Sequence, residues 1–357
     1  MNSMRILCVS NHFPPAHVGG YELFCADTVD SLRQRGHDVI VVTSNTEAPS
    51  EPGVLRDLAF DAAMADPVAM DMNRSVIADA VTRYSPDTAL VWNTYGLGHE
   101  AVFDTLCAKV PTACYLMLHD LAYYGPASLR AVRMVASSQV IRFHFLRRGF
   151  STSALPLIYP GVELPASVRC HTDEAVRLLY CGRVISYKGP HVALVALEKL
   201  PAAYTLTVIG IHESDSEYGD QLHGWVSEHG LEDRVTFRGQ LPRDRALEEY
   251  LRHDVLVFPS LWEEPLGLVV LEAMAAGLPV AASRRGAPVE LITHGRTGLL
   301  HEPGDPQDLA RTLLALSSIQ VRSEMGAAAR EDVGRRFALQ RYVGQLEAEL
   351  NALAFAT

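Results

Sequence analysis

Short unbroken apolar runs alternate along this chain with longer stretches that mix apolar and polar positions. Runs bounded by Gly, Pro or polar turns read as strands buried on both faces, and the stretches between them as helices covering a sheet. The first series opens with a strand at Arg5–Ser10 closed by a Pro-Pro loop, then a helix from about Tyr21 to Gln34 with Gly36 as its breaker, then a strand over His37–Thr43. Further strands are predicted at Thr88–Trp92 and Thr112–Met117, separated by a helix over Gly98–Ala108, while Thr46–Asp71 has no clear period and reads as loop plus a short helix. Ile158–Pro165, with two prolines and a glycine, suits an interdomain linker. The second series places strands at Arg177–Cys181, Tyr204–Ile209, Arg234–Phe237, Val255–Phe258 and Pro279–Ala282. Helices at about Pro190–Leu200, Tyr218–His229, Arg243–Arg252 and Gly267–Ala276 alternate with them. Pro306–Leu316 and Ile319–Leu353 are helical, the latter broken near Gly334–Phe337. Such alternation predicts an α/β protein of two doubly wound, Rossmann-like parallel-sheet domains facing each other across a cleft.

Composition narrows the partners. The 357 residues exceed one average domain, and 48% hydrophobic with 20% charged residues supplies apolar material for two cores. A net charge of −11 argues against a nucleic-acid partner, which calls for a basic footprint. Cys8, Cys25, Cys107, Cys114, Cys170 and Cys181 show no Cys-x-x-Cys or zinc-like spacing, so reduced structural cysteines are expected. Neither a signal peptide nor an apolar run of the ~18 residues a membrane helix needs is visible, and a soluble cytoplasmic protein is the expectation. Residues 121–162 hold no Asp or Glu but carry Arg130, Arg133, Arg142, Arg147 and Arg148. A solvated helix face whose Arg stems cover apolar surface is preferred there over a site for an anionic acceptor or a membrane-surface patch.

The densest chemistry lies at residues 258–282, where an apolar strand breaks at Pro259-Ser260, runs through the loop Trp262-Glu263-Glu264-Pro265-Leu266-Gly267 and enters an apolar helix carrying Glu272. Backbone N–H groups of Leu266, Gly267 and Leu268 fall at a helix start, where a phosphate is attracted. Glu264 and Glu272 place hydroxyl acceptors on either side of it, the layout of a nucleotide sugar. Gly182-Arg183…Lys188-Gly189 follows another strand and opens a helix. A bidentate guanidinium and an ammonium there can stabilise a leaving diphosphate without a divalent ion, so no metal and no cofactor are predicted. Gly19-Gly20 lets backbone approach a ligand, and His119-Asp120 ends a strand at a ligand-binding mouth. Asp215-Ser216-Glu217 reads as a solvated loop, not a metal motif, and the Gly-x-Ser-x-Gly and Gly-x4-Gly-Lys-Ser/Thr patterns of hydrolases and P-loop proteins are missing.

These ordered motifs, above all Glu264-Pro-Leu-Gly-Leu-Val-Val-Leu-Glu272, resemble those of retaining glycosyltransferases of the GT-B fold, family 4 (glycosyl transferases group 1), over nearly the whole chain. The resemblance implies an acceptor-side domain at 1–163, joined by a C-terminal helix at about 337–357 that crosses back, and a donor domain at 164–336. It implies transfer of a sugar from a nucleoside diphosphate to a hydroxyl acceptor. Arg183 and Lys188 would meet the leaving diphosphate, Glu264 the donor sugar, and Glu272 the ribose. Gly20 would face the donor diphosphate, His119 would orient the sugar, and the loop through Leu241 would lie near the base. A nucleotide-sugar epimerase of the same fold and a non-catalytic nucleotide-sugar-binding subunit are the alternatives.

Overall fold

The computed structural model describes residues 3–16, 19–48, 51–118, 124, 132–151, 155–170, 175–210 and 217–355. His119, Asp120, Arg130 and Asp215 lie outside the described residues. The chain forms two compact units, one of Met1–Tyr159 with Gln340–Thr357 and one of Pro160–Leu339.

The first unit runs β1 (Arg5–Ser10), α1 (Gly20–Gln34), β2 (Asp38–Ser44), β3 (Val54–Leu58), α2 (Pro67–Tyr84), β4 (Thr88–Asn93), α3 (His99–Cys107), β5 (Thr112–Leu116), β6 (Arg133–Ala136) and α4 (Gln139–Leu146). Its sheet has the order β3-β2-β1-β4-β5-β6 and every pairing in it is parallel. The central strands are buried along their length, which is why they read as continuous apolar runs. The segment 46–71 differs from expectation: it contributes β3 and the start of the 18-residue α2, capped by the Asp66 side chain accepting from Val68 N–H.

The second unit runs β7 (Val176–Cys181), a 3₁₀ turn (Ser186–Lys188), α5 (Pro190–Glu198), β8 (Tyr204–Ile209), α6 (Glu217–Glu228), β9 (Val235–Gly239) and α7 (Arg243–Arg252). It continues with β10 (Val255–Phe258), α8 (Leu268–Ala275), β11 (Val280–Ser283), α9 (Pro288–Leu291), β12 (Leu299–His301), α10 (Pro306–Leu314) and α11 (Ile319–Arg336). Its parallel sheet, β12-β11-β10-β7-β8-β9, repeats the connectivity of the first. In each sheet the strand order reverses at one point, between β1 and β4 and between β7 and β10. In open α/β sheets the crevice beyond the carboxyl ends of the strands at such a switch point is where ligands bind.

The two chain segments that connect the units bond to each other: Val162 N–H donates to Phe337 O and Leu339 N–H to Val162 O. The last helix, α12 (Leu339–Ala354), then packs in the first unit. Its Glu347 carboxylate accepts from Arg35 (2.7 Å) and from the buried His37 Nε2 (3.1 Å), whose other ring nitrogen accepts from Met4 N–H. Burial opposes ionisation of Glu347, but the hydrogen bonds from Arg35 and His37 and the charge of Arg35 outweigh it and hold the carboxyl below its ordinary 4.5. A carboxyl depressed by folding stabilises above its unfolded pKa and loses that contribution as pH falls through its folded one. Wild type should therefore melt above Glu347→Gln at pH 7, and the gap should close as pH falls below 4.5 and through the lowered folded-state value. A gap independent of pH in melting curves would remove this assignment.

Candidate active site in the second unit

Both ends of the β7/β10 switch point carry residues singled out by sequence. After β7, Tyr180 OH donates to Arg183 O (2.7 Å) and shapes the loop that turns through Ser186–Lys188 into α5. Gly189 stands at φ +73°, and a Cβ there would lie 2.2 Å from Pro259 O, so only glycine lets this loop approach the one after β10. Leu261 N–H donates to Tyr187 O (2.8 Å) and completes the junction.

Across that junction Lys188 Nζ donates to Glu264 Oε1 at 2.5 Å, and Ser260 Oγ donates to the same oxygen at 2.7 Å. Glu264 is 4% exposed, so its carboxylate needs these partners. Its backbone oxygen accepts from Ala287 N–H (2.7 Å), which fixes the loop from a third direction. The Lys188 ammonium lies 5.2 Å from the Trp262 ring centre, and the Arg183 guanidinium 5.8 Å from that of Tyr187, to whose hydroxyl it donates at 2.9 Å. Tyr187 and Trp262 meet edge to face at 5.8 Å, so two cations and two aromatic rings form one cluster beside Glu264.

Gly267, in the left-handed region at φ +81°, caps α8. The first N–H groups of a helix lack intrahelical acceptors, and those around Leu266–Leu268 open on the same loop as Glu264. Glu272, one turn into α8, is held from α7: Tyr250 OH donates to its Oε2 at 3.0 Å, and Arg243 lies 3.8 Å from Oε1. Burial first, and the Glu272 charge second, push the neighbouring Cys181 thiol up to about 12 and keep it protonated.

The structure thus brings Lys188, Glu264, Arg183 and the start of α8 together, with Glu272 further along that helix. Leu241 is half-buried in the turn before α7. Gly20 belongs to the first unit, where it opens α1, and His119 lies outside the described residues. Sequence reasoning missed Tyr250 and Arg243, although their spacing of two helical turns on a predicted helix marks one face. It also missed the aromatic cluster, because Tyr187 and Trp262 come from loops far apart in sequence. Among the described residues no group of three or more His, Cys, Asp and Glu side chains is placed to hold a metal ion, and no helix is long and apolar enough to cross a membrane.

Two parallel six-stranded sheets with flanking helices and this loop cluster define the GT-B class of glycosyltransferase fold. Residues 171–332, most of the second unit, match the family described as Glycosyl transferases group 1. Sulfoquinovosyl transferase SQD2 of Arabidopsis thaliana is 27% identical over 92% of this chain and 70% of the relative. Sucrose-phosphate synthase from Thermosynechococcus elongatus superposes with a TM-score of 0.83 at 22% identity, covering 99% of this chain and all of that one. Anabaena Alr3699/HepE, solved in complex with UDP-glucose, superposes with a TM-score of 0.77 at 22% identity over 98% of this chain and all of its own. The chain is similar to these proteins along its length, and its class is glycosyltransferase.

Proposed function

We propose that this chain is a retaining, family 4 glycosyltransferase that moves a sugar from a nucleoside diphosphate to a hydroxyl acceptor without a metal ion. The observation that carries the proposal is the pair of half-buried Lys188 and buried Glu264 at the β7/β10 switch point, with Arg183 on the adjoining loop. A diphosphate entering there offers Lys188 and Arg183 oxygen acceptors that gain charge as the glycosidic C–O bond breaks, and such groups favour the transition state over the ground state. Glu264 then accepts from sugar hydroxyls, and Glu272 from the ribose diol. The acceptor oxygen attacks the anomeric carbon from the face the diphosphate leaves, and a leaving phosphate oxygen takes the acceptor's proton. No side-chain nucleophile enters this scheme. His119 is assigned to orienting the sugar, Gly20 to the donor diphosphate and Leu241 to the base-side loop. Because HepE is a full-length structural neighbour solved with UDP-glucose, UDP is the first nucleotide to test.

A thermal-shift panel of UDP, GDP, ADP and TDP should show one nucleotide raising the melting temperature of wild type but not of Glu272→Ala. At a hundredfold its dissociation constant a ligand adds ~2.7 kcal/mol, enough for a shift of a few degrees. No shift with any nucleotide would reject the donor assignment. Incubating the sugar nucleotide of the responding base with hydroxyl acceptors then separates transfer from epimerised donor and from binding alone.

A further inference from the structure

Tyr250, on α7, is 1% exposed, and its hydroxyl donates to Glu272 Oε2 at 3.0 Å. A buried hydroxyl needs a partner, but any backbone carbonyl would serve the fold as well. Here the partner is a carboxylate whose side chain stays 19% exposed, so part of it still faces outward. Arg243, the first residue of α7, stands 3.8 Å from the other oxygen, Oε1. The Cys181 thiol, at the end of β7, hydrogen-bonds the Tyr250 side chain. The Glu272 carboxylate is thus aimed by groups from outside its own helix.

The helix that aims it is fixed in turn. Glu249, next to Tyr250 and 2% exposed, accepts from Arg238 of β9 at 2.8 Å and from Arg252 at 2.7 Å. The Arg238–Glu249 pair spans the turn that holds Leu241, in which Gly239 stands at φ +64° and Pro242 precedes α7. His253 Nδ1 pairs with Glu249 O at 2.8 Å at the far end of the helix. An unheld glutamate side chain must lose rotamer freedom when a ligand arrives, and pre-positioning it removes that cost from binding.

An ionised carboxylate offers about four lone-pair positions and no donor. With Tyr250 on one of them, acceptors remain for the two neighbouring hydroxyls of a cis-diol. A site arranged to bond a hydroxyl rejects the analogue that lacks it, because an acceptor is then left unmet where little water reaches. We propose that Tyr250 is the positioning residue that holds Glu272 for a ribose cis-diol, and that it thereby restricts the donor to ribonucleoside diphosphates and disfavours TDP and other 2′-deoxy nucleotides. The proposal rests on the donor reading above, which assigns Glu272 to the ribose.

Isothermal titration of the full chain would compare UDP, GDP and ADP, each with its 2′-deoxy analogue, on wild type and on Tyr250→Phe, which keeps the buried ring. Wild type should prefer the ribonucleotide of the responding base by about tenfold or more, the range for one hydrogen bond to a charged group. Tyr250→Phe should bind that ribonucleotide about tenfold more weakly and its deoxy analogue within about twofold of wild type, so that the preference is lost. With the matching sugar nucleotide, donor KM should rise by a similar factor while kcat stays within about threefold. A tyrosine that served only the fold would lower the melting temperature and weaken both nucleotides alike. Equal binding of the two nucleotides by wild type, or a preference unchanged in Tyr250→Phe, would overturn the proposal and leave the donor site standing. Binding of neither nucleotide by wild type would reject the donor reading and the proposal with it.

Discussion

Lys188→Ala should lower donor turnover about 10²–10³-fold, the range for removing one pre-positioned donor to developing negative charge. The same change has a structural cost. Glu264 keeps a side chain only 5% exposed and loses its cation, and an orphaned buried charge of this kind destabilises by about 3–5 kcal/mol. A fall in activity alone would therefore not distinguish a catalytic lysine from a folding one. The double variant Lys188→Met with Glu264→Gln, read against Glu264→Gln alone, separates them, because it removes both charges and leaves Ser260 a neutral partner for the amide. It should recover most of the melting temperature lost by Lys188→Ala while remaining inactive. Turnover would be read as release of nucleoside diphosphate from the donor of the responding base. A single variant within tenfold of wild type, or a double variant that regains activity with stability, would remove Lys188 from the reaction.

What could be read from sequence follows how each element is buried. β1, β4, β5, β7 and β10 lie inside their sheets, so they appear as unbroken apolar runs. The elements that escaped notice are edge strands. β3 carries the charged pair Arg56 and Asp57 in its middle, β6 begins with Arg133, which bonds Glu349 of α12, and β12 is only three residues long. An edge has fewer neighbours to demand apolar side chains, and polar residues there discourage pairing with other chains. α2 was obscured for a related reason: Val68 and Met72 are exposed while Asn73 is buried, so its apolar period is broken. At the site, residue types and spacings marked Arg183, Lys188, Glu264 and Glu272, because each lies on a short loop that turns into a helix or in that helix's first turns, where the pattern is local. The Lys188–Glu264 pair spans 76 positions and is visible only once β7 and β10 are neighbours.

Tyr342→Ala should cost about 3–5 kcal/mol, the usual loss for truncating a large buried aromatic. Tyr342 is 1% exposed, and its ring centre lies 4.8 Å from that of Phe24 and 5.6 Å from that of Tyr115, with its hydroxyl 3.3 Å from Thr28 Oγ1. Phe24, Trp92 and Tyr115 are in mutual ring contact, so the cavity would open in an aromatic core that rigid strands cannot collapse into. Tyr342→Phe keeps the ring and should lose only about 0.5–1.5 kcal/mol for the hydroxyl. The position of α12 in the chain sharpens the expectation. The second unit is one continuous segment, whereas the first depends on a helix supplied by the last residues of the chain. Calorimetry should therefore show the loss falling on the first unit's transition, by several degrees or more, since about 1 kcal/mol moves a unit of this size by ~2–4 °C. UDP should still stabilise the other transition, because the Lys188 and Glu264 loops lie wholly within the second unit. Equal shifts of both transitions, or loss of the UDP response, would mean that α12 supports the donor site as well as the aromatic core.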